Sequence, residues 1–400
     1  MILLLLAAAL IGFGLYYMFT HVTPQVQPPG AVQPTTTGQL PGAGARPATT
    51  TAAAPGQPTT VLPPSGIIQP TPAGYYKQAA VTQVTDNFAA YTSIASNGNY
   101  RYYNQSDGKF YRVMPDGTIK SMSDQVFYNA SNVTWSSAKN EAVIEYPDGS
   151  KIVYNFDTQQ QIASLPKHWQ EFSFSPDGTQ IAAKSMGLSP ESRWLVTTKD
   201  DGTGAKIIEP MGDNAEKVIV DWSPSKQVAA FSDTGEPLGA DRSEILFIGL
   251  NGENFKSTIV EGQGFEPQWS PTGQKLLYSI YSSRSDYKPE LWIVNSYGDN
   301  IGSGRTLLNL DTWADKCSFG GDDNTLFCAV PKDLPEGAGM ARDLAADSTD
   351  DLYKIDLKTG LKTPIALNGD YNINSISYDA KDNKLMFTDL NKTGVFETQL

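Results

Sequence analysis

Three carboxylates, Glu171, Glu266 and Asp315, stand just ahead of three copies of a recurring aromatic segment in this 400-residue chain. Their common setting would let them converge at the mouth of a central opening. Paired carboxylates there would suit glycoside cleavage, or would bind a cation. The bland alternative is a set of solvated charges on an acidic protein, whose 43 Asp and Glu outnumber 30 Lys and Arg for a net charge of −13. The other catalytic side chains are sparse. Of two histidines, His21 borders an apolar segment and His168 lies in a Pro166-Lys-His-Trp-Gln connection, with nothing marking a serine partner. No H-E-x-x-H, G-x-S-x-G, P-loop or Cys/His cluster is present, so no catalytic set, metal site or cofactor is expected. The acidic surplus argues against nucleic acid as a partner, since phosphate backbones select basic surfaces.

The elements that position these residues repeat. Phe172-Ser-Phe-Ser-Pro-Asp-Gly returns from Val220 as Val-Asp-Trp-Ser-Pro-Ser-Lys, and from Pro267 as Pro-Gln-Trp-Ser-Pro-Thr-Gly. Weaker copies surround Trp135, Phe319, Tyr378 and, most faintly, Ile94. The anchors Ile94, Trp135, Phe174, Trp222, Trp269, Phe319 and Tyr378 recur about every forty to sixty residues. In the clearest copy an alternating apolar strand ends in Ser-Pro-Asp-Gly, where Pro presets φ and Gly accepts a positive φ, and a second strand follows. Third strands begin at Arg193, Glu244, Glu290 and Asp351, and polar turns lead to a fourth. Four antiparallel strands per repeat, without helical periodicity, predict an all-β single propeller of four-stranded blades, with seven blades as the first reading and six as the second.

These W/F-S-P-D-G repeats resemble the TolB-like and WD-like β-propeller repeats of bacterial envelope proteins, over about residues 79–400. The resemblance implies a propeller and an extracytoplasmic setting. The additional α/β domain that precedes the TolB propeller is not visible here, so a Tol–Pal role does not carry over. Prolyl-oligopeptidase relatives of such propellers attach a hydrolase domain, for which no sequence remains.

The last repeat lacks an outer strand after Gly394–Gln399. The alternating segment Ala79–Thr85 has no place in the first repeat, so it is expected to close the ring. Cys317 and Cys328, the two cysteines, fall on adjacent antiparallel strands and should face each other. A disulfide and a buried apolar pair are both open readings.

The domain reading is residues 1–22 as a transmembrane helix, 23–74 as a Pro/Thr-rich disordered linker and 75–400 as the propeller. Met1–Phe19 carries no charge and is long enough to span about 28 Å as a helix, which favours a signal-anchor over a cleaved signal. Runs such as Pro34-Thr-Thr-Thr are expected to lack secondary structure. The propeller would then lie outside the cytoplasm, in the periplasm or at the cell surface. Long second-to-third connections (Met186–Ser192, Asp233–Ser243, Tyr281–Pro289 and Pro331–Asp350) are expected to share one face by family-level inference. That face would gather Arg242, Arg284, Tyr287, Lys288, Lys332 and Arg342, with Trp169, Phe265 and Trp313 adding aromatics. The functional expectation is a membrane-tethered, non-catalytic binding or scaffolding module for an envelope protein, a peptide or a glycan. The alternative is a carboxylate enzyme acting on glycans.

Overall fold

Seven sheets repeat along the chain, each built on four antiparallel strands in chain order except where the ring closes, and the fifth carries one added parallel strand at its outer edge. In this computed structural model the described residues are 60–61, 78–95, 98–236, 238–239 and 241–400, all within the unit Gly56–Leu400. The blades begin with innermost strands Ala89–Ile94, Asn132–Trp135, Trp169–Phe174, Val218–Val220, Gln263–Trp269, Cys317–Phe319 and Ile373–Asp379. Every anchor read from the repeat lies on one of these strands or, for Trp222, two residues beyond its end. Seven blades, not six, make the ring.

The weakly marked first blade holds because its second strand supplies what Ile94 lacks. Tyr100, Tyr102 and Tyr103, with Phe110 on the third strand, are all but fully buried. Apolar clusters fill each of the seven joints between neighbouring blades. The one between the last and first blades packs Met386 and Val395 against Tyr100, Tyr102 and Val113. Closure comes from the expected segment: Val81–Thr85 pairs antiparallel with the last strand, Val395–Gln399, and becomes the outer strand of blade 7.

The Ser-Pro-Asp-Gly turn works as its residues dictate. The Gly178 N–H donates to Ser175 O at 2.8 Å, and Asp177 Oδ1 accepts from the Thr179 N–H and the Ser175 hydroxyl. Gly178 has φ +68°, and a Cβ there would stand 2.8 Å from Ser136 Oγ of the preceding blade, so glycine also permits close nesting of successive turns. Blade 4 has Lys226 at this place, with φ 66°.

The residue before each anchor adds a second layer of joints. Ser173 Oγ accepts the Trp222 N–H of the next blade at 2.9 Å, and Ser318 Oγ accepts that of Tyr378 at 2.9 Å. Ser93, Thr134, Ser173, Gln268, Ser318 and Ser377 occupy this position elsewhere, and blade 4 places Asp221 there.

Among the described residues, no helix is long and apolar enough to cross a membrane. The expected membrane segment lies outside the described residues, as does most of the linker. One part of the linker departs from expectation: Thr60–Val61 forms a short strand paired in parallel with Thr306–Leu307 at the outer edge of blade 5. A free sheet edge offers unpaired backbone groups to any extended segment, which explains why a sequence without a core can still adopt strand there.

Candidate functional site

The long connections of blades 3 to 6 all emerge at one end of their sheets, opposite the tight first-to-second strand turns, as antiparallel pairing requires. The longest, between Thr325–Pro331 and Asp350–Asp356, is braced from below and from the side. Ala338 and Ala345 pack against Trp313, which is only 4% exposed. The Gly337 N–H donates to Asp286 O at 2.9 Å and the Gly339 N–H to Tyr287 O at 2.7 Å, tying the blade 6 loop onto that of blade 5. A Cβ on Gly339 would stand 2.5 Å from Tyr281 Cβ, so only glycine permits this approach.

Within this frame Arg342 lies over the Trp313 ring, 4.7 Å from its centroid, and forks onto Asp315 with Nη1–Oδ2 at 2.6 Å and Nη2–Oδ1 at 2.9 Å. Beneath it, Lys316 Nζ donates to Asp350 Oδ1 at 2.8 Å, with both side chains buried, and Asp350 Oδ2 accepts the Ile373 N–H at 2.6 Å. A cavity of about 250 Å³ opens among Trp313, Asp315, Lys316, Arg342 and Asn372. Glu266 accepts a hydrogen bond from Ser279 Oγ, which in turn accepts the Ala314 N–H. Burial, and then the Asp315 charge, push the Glu266 carboxyl up, with Arg342 opposing.

The remaining expected residues fall into two further groups. Glu261 binds Arg242 Nε at 3.3 Å and Arg305 Nη2 at 2.8 Å, and its carbonyl accepts from Arg284. Lys288 and Lys332 line a cavity of about 450 Å³ with Asp311 and Lys362, while Lys332 itself pairs with Asp370 at 2.9 Å. Burial pushes Asp311 up and Lys362 down, so each resists its charge in this partly enclosed space.

Several sequence expectations need correction. Trp169 and Trp313 are not presented to solvent: both are buried, and Trp169 belongs to the joint between blades 2 and 3. Phe265 packs against the joint between blades 4 and 5. Of the aromatics assigned to this face, Tyr287 is the one exposed. The basic side chains are not a free positive surface either, since Arg242, Lys332 and Arg342 are engaged by carboxylates.

The carboxylates also differ from their expected setting. Glu171 and Glu266 lie within innermost strands rather than ahead of them, at the irregular step that each strand makes in its pairing. Glu171 has φ 51° and reaches the buried Lys184, Oε1 to Nζ 2.5 Å, so it serves as a counter-ion. Cys317 and Cys328 are directly opposite in register and their sulfurs are bonded.

Some residues went unnoticed in the sequence. Asp221 is pushed up to about 7 by burial, with no hydrogen bond to its carboxylate among the described residues. The signal for it was its place in the repeat, where other blades carry Ser, Thr or Gln. The long connections also expose large apolar side chains: Leu188, Leu238, Tyr287, Met340 and Leu344. Among the described residues, no group of three or more His, Cys, Asp or Glu is arranged to hold a metal ion.

The fold and this loop-bearing end define the class: a seven-bladed β-propeller. The chain is similar to the β-propeller domain of Myceliophteria thermophila Cps50 (Swd1), with TM-score 0.55 at 11% identity over 80% of this chain and 99% of that one. It is similar to an oligogalacturonate lyase in complex with manganese, with TM-score 0.54 at 11% identity over 80% and 93%. TolB from Acinetobacter baumannii matches with TM-score 0.42 at 15% identity over 68% of this chain and 64% of that one. At such identities the likeness is one of fold. No protein-family model and no curated protein matches the sequence.

Proposed function

We propose that this propeller is a non-catalytic binding module, tethered to a membrane through Met1–Phe19 and held outside the cytoplasm, whose long connections capture a protein segment at the cell envelope. The observation that carries the reading is the set of exposed apolar side chains on those connections. Leu188, Leu238, Tyr287, Met340 and Leu344 all emerge from the loop-bearing end. Exposed aliphatic and aromatic side chains on a braced loop favour a protein or peptide over a glycan, because they gain most from shedding water against another apolar surface. The braces matter as much as the contacts, since a loop already held in place loses little freedom on binding.

The test is capture from envelope extract by the full chain and by a Met340→Asp/Leu344→Asp variant. Both side chains are more than half exposed, so the fold should be unaffected. Loss of about tenfold or more in captured partner supports the reading, and undiminished capture by the variant overturns it. Deleting Pro331–Asp350 would be a poor test, because it removes Asp350 from Lys316 and uncovers Trp313.

A second reading has one observation in its favour. Glu266 is biased towards holding a proton beside Asp315, which Arg342 holds, and glycan cleavage needs one protonated and one ionised carboxyl. Turnover of a glycan by the wild-type chain that Glu266→Gln abolishes would support it; absence of turnover across a glycan panel overturns it.

A further inference from the structure

At the opposite end, among the tight turns of blades 1 and 2, a cavity of about 520 Å³ is lined mainly by polar residues, including Arg101, Arg112, Lys139, Glu141, Asn155 and Asp157. Arg101 and Arg112 are direct cross-strand partners on the second and third strands of blade 1, Tyr100–Asn104 and Lys109–Val113. Like charges placed directly opposite on a sheet repel. Yet no carboxylate within the described residues forms an ion pair with either.

Arg101 is 1% exposed and lies 4.5 Å over the Trp135 ring. Its Nη atoms donate to Lys139 O, Ser136 O and Ser93 Oγ at 3.0–3.2 Å, so the side chain is fixed, but its Nε–H is buried without a partner. The Arg112 side chain makes no hydrogen bond among the described residues, and its Nε–H is also buried. On the other wall, Glu141 is 3% exposed. Its Oε1 accepts from Asn155 Nδ2 at 2.8 Å, while Oε2 is buried without a hydrogen bond, 4.0 Å from a Lys139 ammonium that is bonded to Asp200 instead.

An unsatisfied buried polar atom costs about 1–3 kcal/mol, and native proteins hold few. Three of them belong to residues that line this one cavity: two donors on guanidinium groups and one acceptor on a carboxylate. The donors call for an oxyanion, which a guanidinium fork meets with two parallel hydrogen bonds. The acceptor calls for a hydroxyl or ammonium donor on the same molecule.

We propose that this cavity binds a small organic acid bearing a hydroxyl or ammonium group, with its oxyanion on Arg112 and the Arg101 Nε–H and its donor on Glu141 Oε2. The bound oxyanion separates the two guanidinium charges, and the donor completes the shell of Glu141. The site is distinct from the apolar loops at the other end and stands independently of the capture reading.

Calorimetric titration of the full chain with glycerate, serine, acetate and inorganic phosphate tests this. Glycerate or serine is expected to bind with a Kd below about 1 mM, and acetate and phosphate roughly tenfold more weakly because they lack the second group. Whichever of glycerate and serine binds more tightly identifies the donor as hydroxyl or ammonium. Arg112→Gln should weaken binding at least tenfold while leaving the unfolding midpoint of the ligand-free chain unchanged or raised. Glu141→Gln should abolish the preference over acetate and leave acetate binding itself intact. No binding by any of the four probes, or wild-type affinity in Arg112→Gln, overturns the proposal.

Discussion

The loop-bearing end of the propeller and the turn-end cavity of blades 1 and 2 treat their arginines in opposite ways. At the loop-bearing end cations meet carboxylates: Arg342 with Asp315, Arg242 and Arg305 with Glu261, Lys332 with Asp370, and Lys316 with Asp350 in the interior. At the turn end of blades 1 and 2, two guanidinium groups stand on directly paired residues and no carboxylate among the described residues pairs with them. The first arrangement spends its charges on holding loops in place, and those loops also offer large apolar side chains outward. The second keeps part of its hydrogen-bonding capacity in reserve. Where charges stand in a sequence therefore says little about which remain available for a ligand.

The contrast breaks most visibly at the buried pair. Lys316→Met would leave the Asp350 carboxylate enclosed with only the Ile373 N–H for company. A loss of about 3–5 kcal/mol is expected in urea denaturation, with much of it regained in the Lys316→Met/Asp350→Leu double variant.

Asp221 sharpens the contrast through pH. Its folded-state carboxyl titrates near 7, against 3.8 when unperturbed. Between those values the unfolded chain has lost a proton that the folded chain keeps, so stability falls as pH rises from about 4 to about 7 and then levels off. Asp221→Asn should accordingly stabilise the protein by up to about 4 kcal/mol at pH 8 and leave it unchanged at pH 3. Denaturation curves at the two pH values give the answer, and equal gains at both would exclude this group as the cause.

Arg342→Ala should cost about 1 kcal/mol, because its ion pair is exposed and only its packing on Trp313 is sheltered. It should also raise the titration midpoint of Glu266 further, since Arg342 opposes that shift; carboxyl chemical shifts would follow it. Smallest of all, Arg112→Gln should change stability by less than about 0.5 kcal/mol, because it removes a charge that no folded partner uses. A large loss there would make the turn-end arginines structural and erase the difference between the two ends.

The architecture was largely legible because its signals are local and repeated. An aromatic anchor, a Pro-Asp-Gly turn and a second apolar run restate one hairpin, so even Ile94 gained weight from its phase with stronger copies. Closure by Val81–Thr85 was readable because that segment had no place in the first repeat and the last repeat lacked a strand. The site was far less legible. Burial of Trp169 and Trp313 depends on what packs across a joint, and the pairing of Arg342 with Asp315 depends on how a long loop folds back. Neither leaves a mark in spacing. Arg101 and Arg112 belong to no motif; they meet because the turn at Asp107–Gly108 sets the register of their strands, and Glu141 joins them only when the neighbouring blade docks. Asp221 was visible as the odd residue in a column of Ser, Thr and Gln, and aligning that column would have found it.

Closure has a consequence for how the protein is made. The Thr398 hydroxyl donates to Ala80 O across a sequence separation of 318 residues, and the sheet between them cannot form until nearly the whole chain has left the ribosome. At a synthesis rate of roughly 5–20 residues per second, Val81–Thr85 must wait on the order of half a minute for its partner. During that interval the nascent propeller is an open arc with a bare edge at each end, and any factor that shields those edges would govern its yield more than the stability of the finished ring.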